Sequence, residues 1–428
     1  MAFKKIVSFL IVVLELLLIT QIAWADTTGE VNFEFSYSPE SGELDGGANL
    51  NLKYTDSISD QHYLTADLLF SYPEEDFNLI RINEAFVQGI QTPWEEVDYR
   101  LGLLQITWGA SDIMSPVDVV NPRPFSLSFT EEALEEKLPI PALNLEWYHS
   151  FTWWLEFLYQ PYFVANYIPH SMEENMLVNQ LAHSLTVDPS QLELSLSKEN
   201  PQVDFLHPIW GIRTQGMLGN IDVALSYFQG YYLSSYPYQT QITYHPDGTL
   251  SSQVNSGYPR KTMVGLEFQG EFPLLEGSTF RGDLALFVPE RWINQIIITQ
   301  PDGTVITNQE EILNEPYWKA SFGIDYTTEQ DVVLNTAFVL GNPYEEGKDV
   351  SPYLFLSAEK TSEDGKWTPF ITSGLSLWDG SMVNAVGTRY QPETNWEVSF
   401  TYTFSSGSPQ SKLGAVGDGF FLGIEHVF

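Results

Sequence analysis

The sequence predicts an all-β chain that closes into a transmembrane, antiparallel up-and-down β-barrel of about 18 strands, with 16 as the alternative. Three observations carry this expectation. Several segments alternate apolar and polar residues with period two over seven to nine positions. The final residues form one apolar face at alternate positions. No apolar run beyond the first 25 residues approaches the length of a membrane helix.

The chain opens with Lys4 and Lys5, an apolar run from Ile6 to Ile22, and Ala23-Trp24-Ala25 before Asp26, the order of charge, apolar core and small residues in a secretory signal. Cleavage is expected after Ala25, and Glu15 inside the run makes it a poor permanent anchor. Residues 26–428 then read as one domain, since no charged or Pro/Gly/Ser-rich linker divides them. There is no cysteine, so neither a lipoprotein anchor nor a disulfide contributes, and stability must come from the fold itself.

The strand segments follow in order as Val31–Tyr37, Ala48–Tyr54, Val97–Leu103, Trp318–Tyr326 and Trp396–Phe404. In the last of these one face is Trp, Val, Phe, Tyr, Phe and the other Glu, Ser, Thr, Thr. The alternation is broken in 81–88, 353–359 and 383–390, which are the weakest assignments. Tyr37, Tyr54, Trp318, Tyr326, Trp396 and Phe404 sit at strand ends, where the aromatic belts of a membrane barrel fall. Short connections are expected at 56–60, 91–95, 149–151, 217–220, 327–330, 362–366 and 391–395. Long ones are expected at 38–47, 105–141, 160–208, 230–260, 289–316 and 405–418. A soluble sandwich shares the period of two, but short and long connections that alternate at opposite strand ends point to a barrel. Within the long connections, 173–182 reads as a short helix, and Pro246-Asp247-Gly248 and Pro301-Asp302-Gly303 as hairpin tips.

Read backwards from the terminus, Phe428, His426, Ile424, Leu422 and Phe420 share one strand face. This resembles the C-terminal assembly signal of bacterial outer-membrane proteins, carried by Phe420, Leu422, Ile424 and Phe428, with His426 as the departure. The segment 107–124 holds Trp108-Gly109, Asp112, then Asp118, Asn121-Pro122 and Arg123. Its W-G-x-x-D and D-x-x-N-P pattern resembles a loop in uncharacterised porin-like outer-membrane proteins. By position it is the third long-side loop, which in porins folds into the lumen. The resemblance therefore implies a pore-constriction loop with Trp108, Asp112, Asp118, Asn121 and Arg123 as its residues. Gly109 would allow a sharp strand exit, and Pro116, Pro122 and Pro124 would stiffen the path. The bland alternative is an ordered surface loop of Asx and Pro turns. The resemblance also implies residence in the outer membrane, contact with its lipid and with the barrel assembly machinery, and a homotrimer.

Lysine and arginine number 19 against 56 acids, a net charge of -37, which excludes nucleic acid as a partner. Acids in a lumen favour cations over phosphate-like anions. Together these features predict passive diffusion of small hydrophilic solutes or cations, with no cofactor and no chemical step. A structural or polymer-export barrel and a soluble secreted β-protein are the rivals. A barrel-embedded hydrolase is a third, but the seven histidines are scattered and neither G-x-S-x-G nor H-E-x-x-H occurs. A metal site is left open: the pairs Glu74-Glu75, Glu95-Glu96, Glu131-Glu132, Glu135-Glu136 and Glu345-Glu346 are the Ca²⁺ candidates. Trp153, Trp154, Tyr231, Tyr232, Tyr236 and Tyr238 read as girdle residues or, alternatively, as a sugar-stacking track.

Overall fold

Every segment with an unbroken apolar face forms a strand, because an extended chain puts alternate side chains on opposite faces. The computed structural model describes residues 27–428 except 40, 41, 43, 73–79, 93, 112, 125–135, 151, 186, 273–276, 348, 409, 410, 415 and 416. The expected signal segment thus lies outside the described residues. In chain order the first strands are β1 (Thr27–Tyr37), β2 (Leu44–Ser59), β3 (His62–Tyr72), β4 (Ile80–Gly89), β5 (Val97–Leu104), β6 (Ile140–Tyr148) and β7 (Trp153–Gln160). Helix α1 (His170–Leu185) comes next, then β8 (Leu192–Glu199), β9 (Ile209–Leu218), β10 (Ile221–Tyr231), β11 (Tyr236–Tyr244), β12 (Leu250–Gly257), β13 (Arg260–Glu271) and β14 (Ser278–Pro289). The rest are β15 (Trp292–Thr299), β16 (Val305–Leu313), β17 (Tyr317–Thr327), β18 (Val332–Leu340), β19 (Pro352–Lys360), β20 (Trp367–Ser376), β21 (Met382–Glu393), β22 (Trp396–Ser406) and β23 (Gly419–Val427).

Eighteen of these pair with their neighbours in an antiparallel barrel, the number read from the sequence; only β8, β11, β12, β15 and β16 stand apart. The three weak assignments are the strands β4, β19 and β21. In β4 the alternation breaks where a bulge shifts the register against β3. Closure is made by β1 against β23, from Glu30↔Val427 to Tyr37↔Phe420. The outward face is apolar, with Leu64, Leu225, Leu284, Phe338, Leu356 and Phe400 all exposed. At its margins Tyr37, Tyr54, Trp318 and Phe404 are exposed as the belt reading expects.

The seam is tight. Phe428 and Gly29 exchange both backbone hydrogen bonds, at 2.9 and 3.0 Å. The Phe428 ring lies over Gly29 so closely that a Cβ there would sit 2.4 Å from it. His426, the departure from the terminal pattern, stacks on Trp396 with ring centres 4.2 Å apart. Gly29, Val31, Phe33 and Phe35 share their face with Phe428, His426, Ile424 and Leu422, so the terminal residues close an apolar surface as well as a hydrogen-bond ladder.

Connections differ from expectation in two places. The one after β1 is short, since β2 already begins at Leu44 and its Gly46 pairs with Phe35. The three longest loops beyond the segment between β5 and β6 are largely ordered. They supply a second sheet in the order β16-β15-β11-β12-β8, with parallel pairing of β11 to β15 and of β12 to β8. The two Pro-Asp-Gly segments do form hairpin tips in it. Asp247 and Asp302 accept from the amides of Thr249 at 3.0 Å and Thr304 at 2.8 Å, and Gly248 and Gly303 take positive φ. Helix α1, longer than the 173–182 expected, lays Val178, Leu181 and Leu185 against Leu192, Ile242, Leu250 and Ile298 of this sheet.

Phe428→Ala is expected to lower the stability of the folded barrel by about 3 kcal/mol, the lower end for losing a packed aromatic. Loss of heat-resistant mobility at a lower temperature in detergent gels would show it, and Gly29→Leu should act in the same direction.

Candidate functional site

The segment between β5 and β6 turns inward because its own residues are apolar and its neck is clipped shut. Asn121 makes the clip. Its Oδ1 accepts from the Ile106 amide at 2.7 Å, while Nδ2 donates to the carbonyls of Leu104 at 3.0 Å and Leu138 at 2.8 Å. A buried side chain thus replaces the ladder where the two strands part. Beyond the neck Ile106, Trp108, Val117, Val119 and Val120 are buried against Leu158, Ile209, Phe228, Met263 and Phe287, which project inward from the wall. Trp108 is wholly buried, edge-on to Phe228 and over Gly211, where a Cβ would come within 2.5 Å of the indole.

Gly109 takes φ +108°, the bend expected of it, and the turn that follows aims three amides at the far wall. Gly109 donates to Glu267 Oε2 at 3.0 Å. Ala110 and Ser111 donate to the two oxygens of Asp283, each at 2.9 Å. Ser321 Oγ donates to Ser111 Oγ at 2.5 Å. Glu267 is also held by Arg213 through two bonds of 2.9 and 2.5 Å. Arg213 reaches Glu156 at 3.6 Å, and Glu156 accepts from Asn144 at 2.6 Å. This buried network runs along β6, β7, β9, β13 and β14, and none of its members was singled out by sequence. The available signal was a charge on a strand's inward face, as in Leu266-Glu267-Phe268.

Farther along the loop, Asp118 and Arg123 do not oppose each other across an opening. They pair at 2.5 Å, and Lys137 joins the same Asp118 oxygen at 2.7 Å. Asp112 lies outside the described residues. The loop from 341 to 351 also bends inward, with Tyr344 Oη donating to the Pro124 carbonyl at 3.2 Å. In it Glu345 accepts from Lys412 Nζ at 2.6 Å, Tyr353 Oη at 2.8 Å and the Ser351 amide at 3.0 Å. Burial pushes its carboxyl up, but these donors outweigh burial and hold it below the usual carboxylate range. Glu346 instead faces Tyr317 and Lys319. The other acidic pairs stand differently: Glu95 and Glu96 are exposed, and Glu74, Glu75, Glu131, Glu132 and Glu135 lie outside the described residues. Among the described residues no three carboxylates or histidines gather as a metal site.

The six aromatic residues split. Trp153 covers Gly216 at the start of β7, while Tyr232 is buried and edge-on to Tyr236 in the packed inner core. Tyr238 lies edge-on to Trp292 on the second sheet.

The lumen therefore has two unlike walls. From β6 to β19 inward apolar residues such as Ile140, Leu158, Ile209, Phe228, Met263 and Phe287 are buried under the loop, beside the charged network of Glu156, Arg213, Glu267 and Asp283. Around β22, β23, β1 and β2 the inward residues are Ser399, Thr401, Glu425, Asn32, Glu34 and Asn49.

No protein-family model and no curated protein matches the chain. Three solved structures are similar over most of their length at very low identity. Pseudomonas aeruginosa OccK11 gives TM-score 0.49 at 9% identity, over 94% of this chain and 95% of that one. A double mutant of the Rh. blastica porin gives 0.43 at 12%, over 94% and 99%. Salmonella typhi OmpF in complex with daunomycin gives 0.41 at 10%, over 94% and 97%. With these scores below 0.5 the likenesses add nothing to the strand pairing, which defines the barrel by itself.

Asp283→Ala removes the acceptor of two loop amides and should cost about 2–4 kcal/mol while freeing the loop, read as lower thermal stability in detergent. Asn121→Ala should cost a similar amount. The Glu345 contribution has the opposite of a histidine's pH dependence. Its pKa is depressed on folding, so the stabilisation is complete above the unfolded value of about 4.3 and is lost as pH falls through the lower folded value. Glu345→Gln should therefore flatten the acid limb of a melting-temperature profile below about pH 4.3.

Proposed function

We propose that the chain is an outer-membrane channel for passive diffusion of small hydrophilic solutes, with the loop from Gln105 to Pro139 as its constriction. The observation that carries this reading is the division of the lumen. One wall is sealed under the inward loop, and the opposite wall carries the polar inward residues Asn32, Asn49, Ser399 and Thr401. A solute would partition onto that polar wall and pass beside the loop, with width and charge setting selectivity and no bond made or broken.

The charges on the open wall favour cations. Glu30, Glu34, Asp67 and Glu425 face inward there, with Lys53 among them. Within the same reading residues 1–25 are removed on export, Phe420, Leu422, Ile424 and Phe428 present the assembly signal to the barrel assembly machinery, and the outward apolar face meets lipid or the neighbouring copies of a homotrimer. Trp108, Asn121, Asp118 and Arg123 then shape the constriction from within the loop rather than as charges in the stream, and Asp112 is assigned to it by sequence.

The test is single-channel conductance of detergent-purified protein in a planar bilayer under a salt gradient. Stable steps with a cation-selective reversal potential are expected, and the double variant Glu34→Gln with Glu425→Gln should shift that potential toward zero. A folded, inserted barrel without conductance would overturn the channel reading.

A further inference from the structure

The polar wall holds one large side chain out of keeping with its surroundings. Between Thr401 of β22 and Ser36 of β1 the register sets Phe421 of β23, on the inward face that also carries Gly423 and Glu425. Among the described residues it is the one aromatic side chain on the inward faces of β22, β23, β1 and β2. It is 44% exposed, although an apolar ring gains nothing from facing an aqueous passage. The ring leans over Gly419, where a Cβ would stand 3.0 and 3.2 Å from two of its carbons, and no second ring or cation among the described residues packs on it. On its other side Gly423 leaves its space to the Ser399 hydroxyl, 2.4 Å from where a Cβ would be. The bare ring is therefore bordered by hydroxyl groups and glycines.

The charge around it has one sign. The described side chains on these inward faces include Glu30, Glu34, Glu397 and Glu425 against Lys53 alone. Glu34 is exposed and pairs with Gly423, which puts it on the diagonal from Phe421. Diagonal neighbours in an antiparallel pair lie about 7–8 Å apart, within reach of a long side chain. A solute at this point thus meets the negative face of a ring and a carboxylate together. An inorganic cation keeps its water and gains little from the ring. A methylated ammonium group spreads its charge over carbon, sheds water cheaply and can lie on the ring face. A neutral sugar could also touch the ring, but it gains nothing from four carboxylates.

We propose that Phe421 and Glu34 form a subsite for a small methylated ammonium solute, with the cation over the ring and Glu34 as its charge partner. The inference rests on the channel reading and names the class of solute for which the polar wall is built. Binding at equilibrium does not require conduction, so the two readings fail separately.

The experiment is a titration of the full chain with choline chloride, followed by saturation-transfer NMR in a polyoxyethylene detergent that carries neither charge nor sugar. The separate probes are 3,3-dimethylbutan-1-ol, the neutral carbon analogue of choline, and glucose. Saturable choline binding is expected, with both neutral probes weaker. Phe421→Leu keeps an apolar side chain and loses the ring, and should weaken choline about fivefold. Glu34→Gln should weaken it about threefold. If Phe421→Leu does not recover heat-resistant mobility in gels, Glu34→Gln takes its place as the deciding variant. The proposal is overturned if wild type shows no saturable choline signal, if the neutral analogue or glucose binds as well as choline, or if either folded variant binds choline like wild type. Choline binding in a barrel that does not conduct would keep this site and remove the channel; conduction of potassium chloride without choline binding would do the reverse.

Discussion

Everything in this molecule depends on the seam between β1 and β23. An open sheet would leave a row of unpaired amides and carbonyls along each edge, and in an apolar surrounding each unpaired group costs several kcal/mol. The antiparallel register from Glu30↔Val427 to Tyr37↔Phe420 removes both edges at once. The exchange between Gly29 and Phe428 extends that ladder to the last residue, and glycine is required because the aromatic ring occupies the place of its side chain. Once the ladder is closed, the outward residues need only be apolar and the inward ones become free to build a site.

That freedom is used to place a second core inside the barrel. The inward loop buries Ile106, Trp108, Val117 and Val120 against residues of the wall, so the lumen holds packing of the kind found between layers of a soluble protein. The loop is located by carboxylates of Glu267 and Asp283 that receive its backbone amides. Each such carboxylate is buried and would be a liability alone. Glu267 is offset by Arg213, while Asp283 is satisfied by the loop itself, so the wall and the loop complete each other.

How much of this could be read in advance follows from range. Outward faces were legible because lipid-compatible residues alternate within one strand, as in Trp396–Phe404, and because turn residues such as Asp247 and Asp302 act on their immediate neighbours. The inward segment was singled out through a motif that holds Trp108, Gly109 and Asn121, and the Gly109 bend is local, but the Asn121 clip joins residues 15 to 17 positions away and was not foreseen. The partners of that loop were not legible, since Ala110 meets Asp283 from 173 positions away and nothing in either segment records the other. Asp118 and Arg123 were read as opposed charges across a pore, and their spacing of five residues could not say that they pair with each other instead. The second sheet escaped for a similar reason: its parallel pairings join strands from different loops, and segments such as Gln239-Thr240-Gln241 show no apolar face.

The second sheet also has a mechanical consequence. Its strands come from the loops that follow β7, β10 and β14, so three successive hairpins of the barrel are stitched together above the same wall that the inward loop seals below. That wall is braced at two heights. The polar wall around β22, β23, β1 and β2 has no such stitching among the described residues and is held by its ladder alone. Among the described residues the barrel is therefore braced on one side by a second sheet and an inward loop, and on the other by its strand ladder alone.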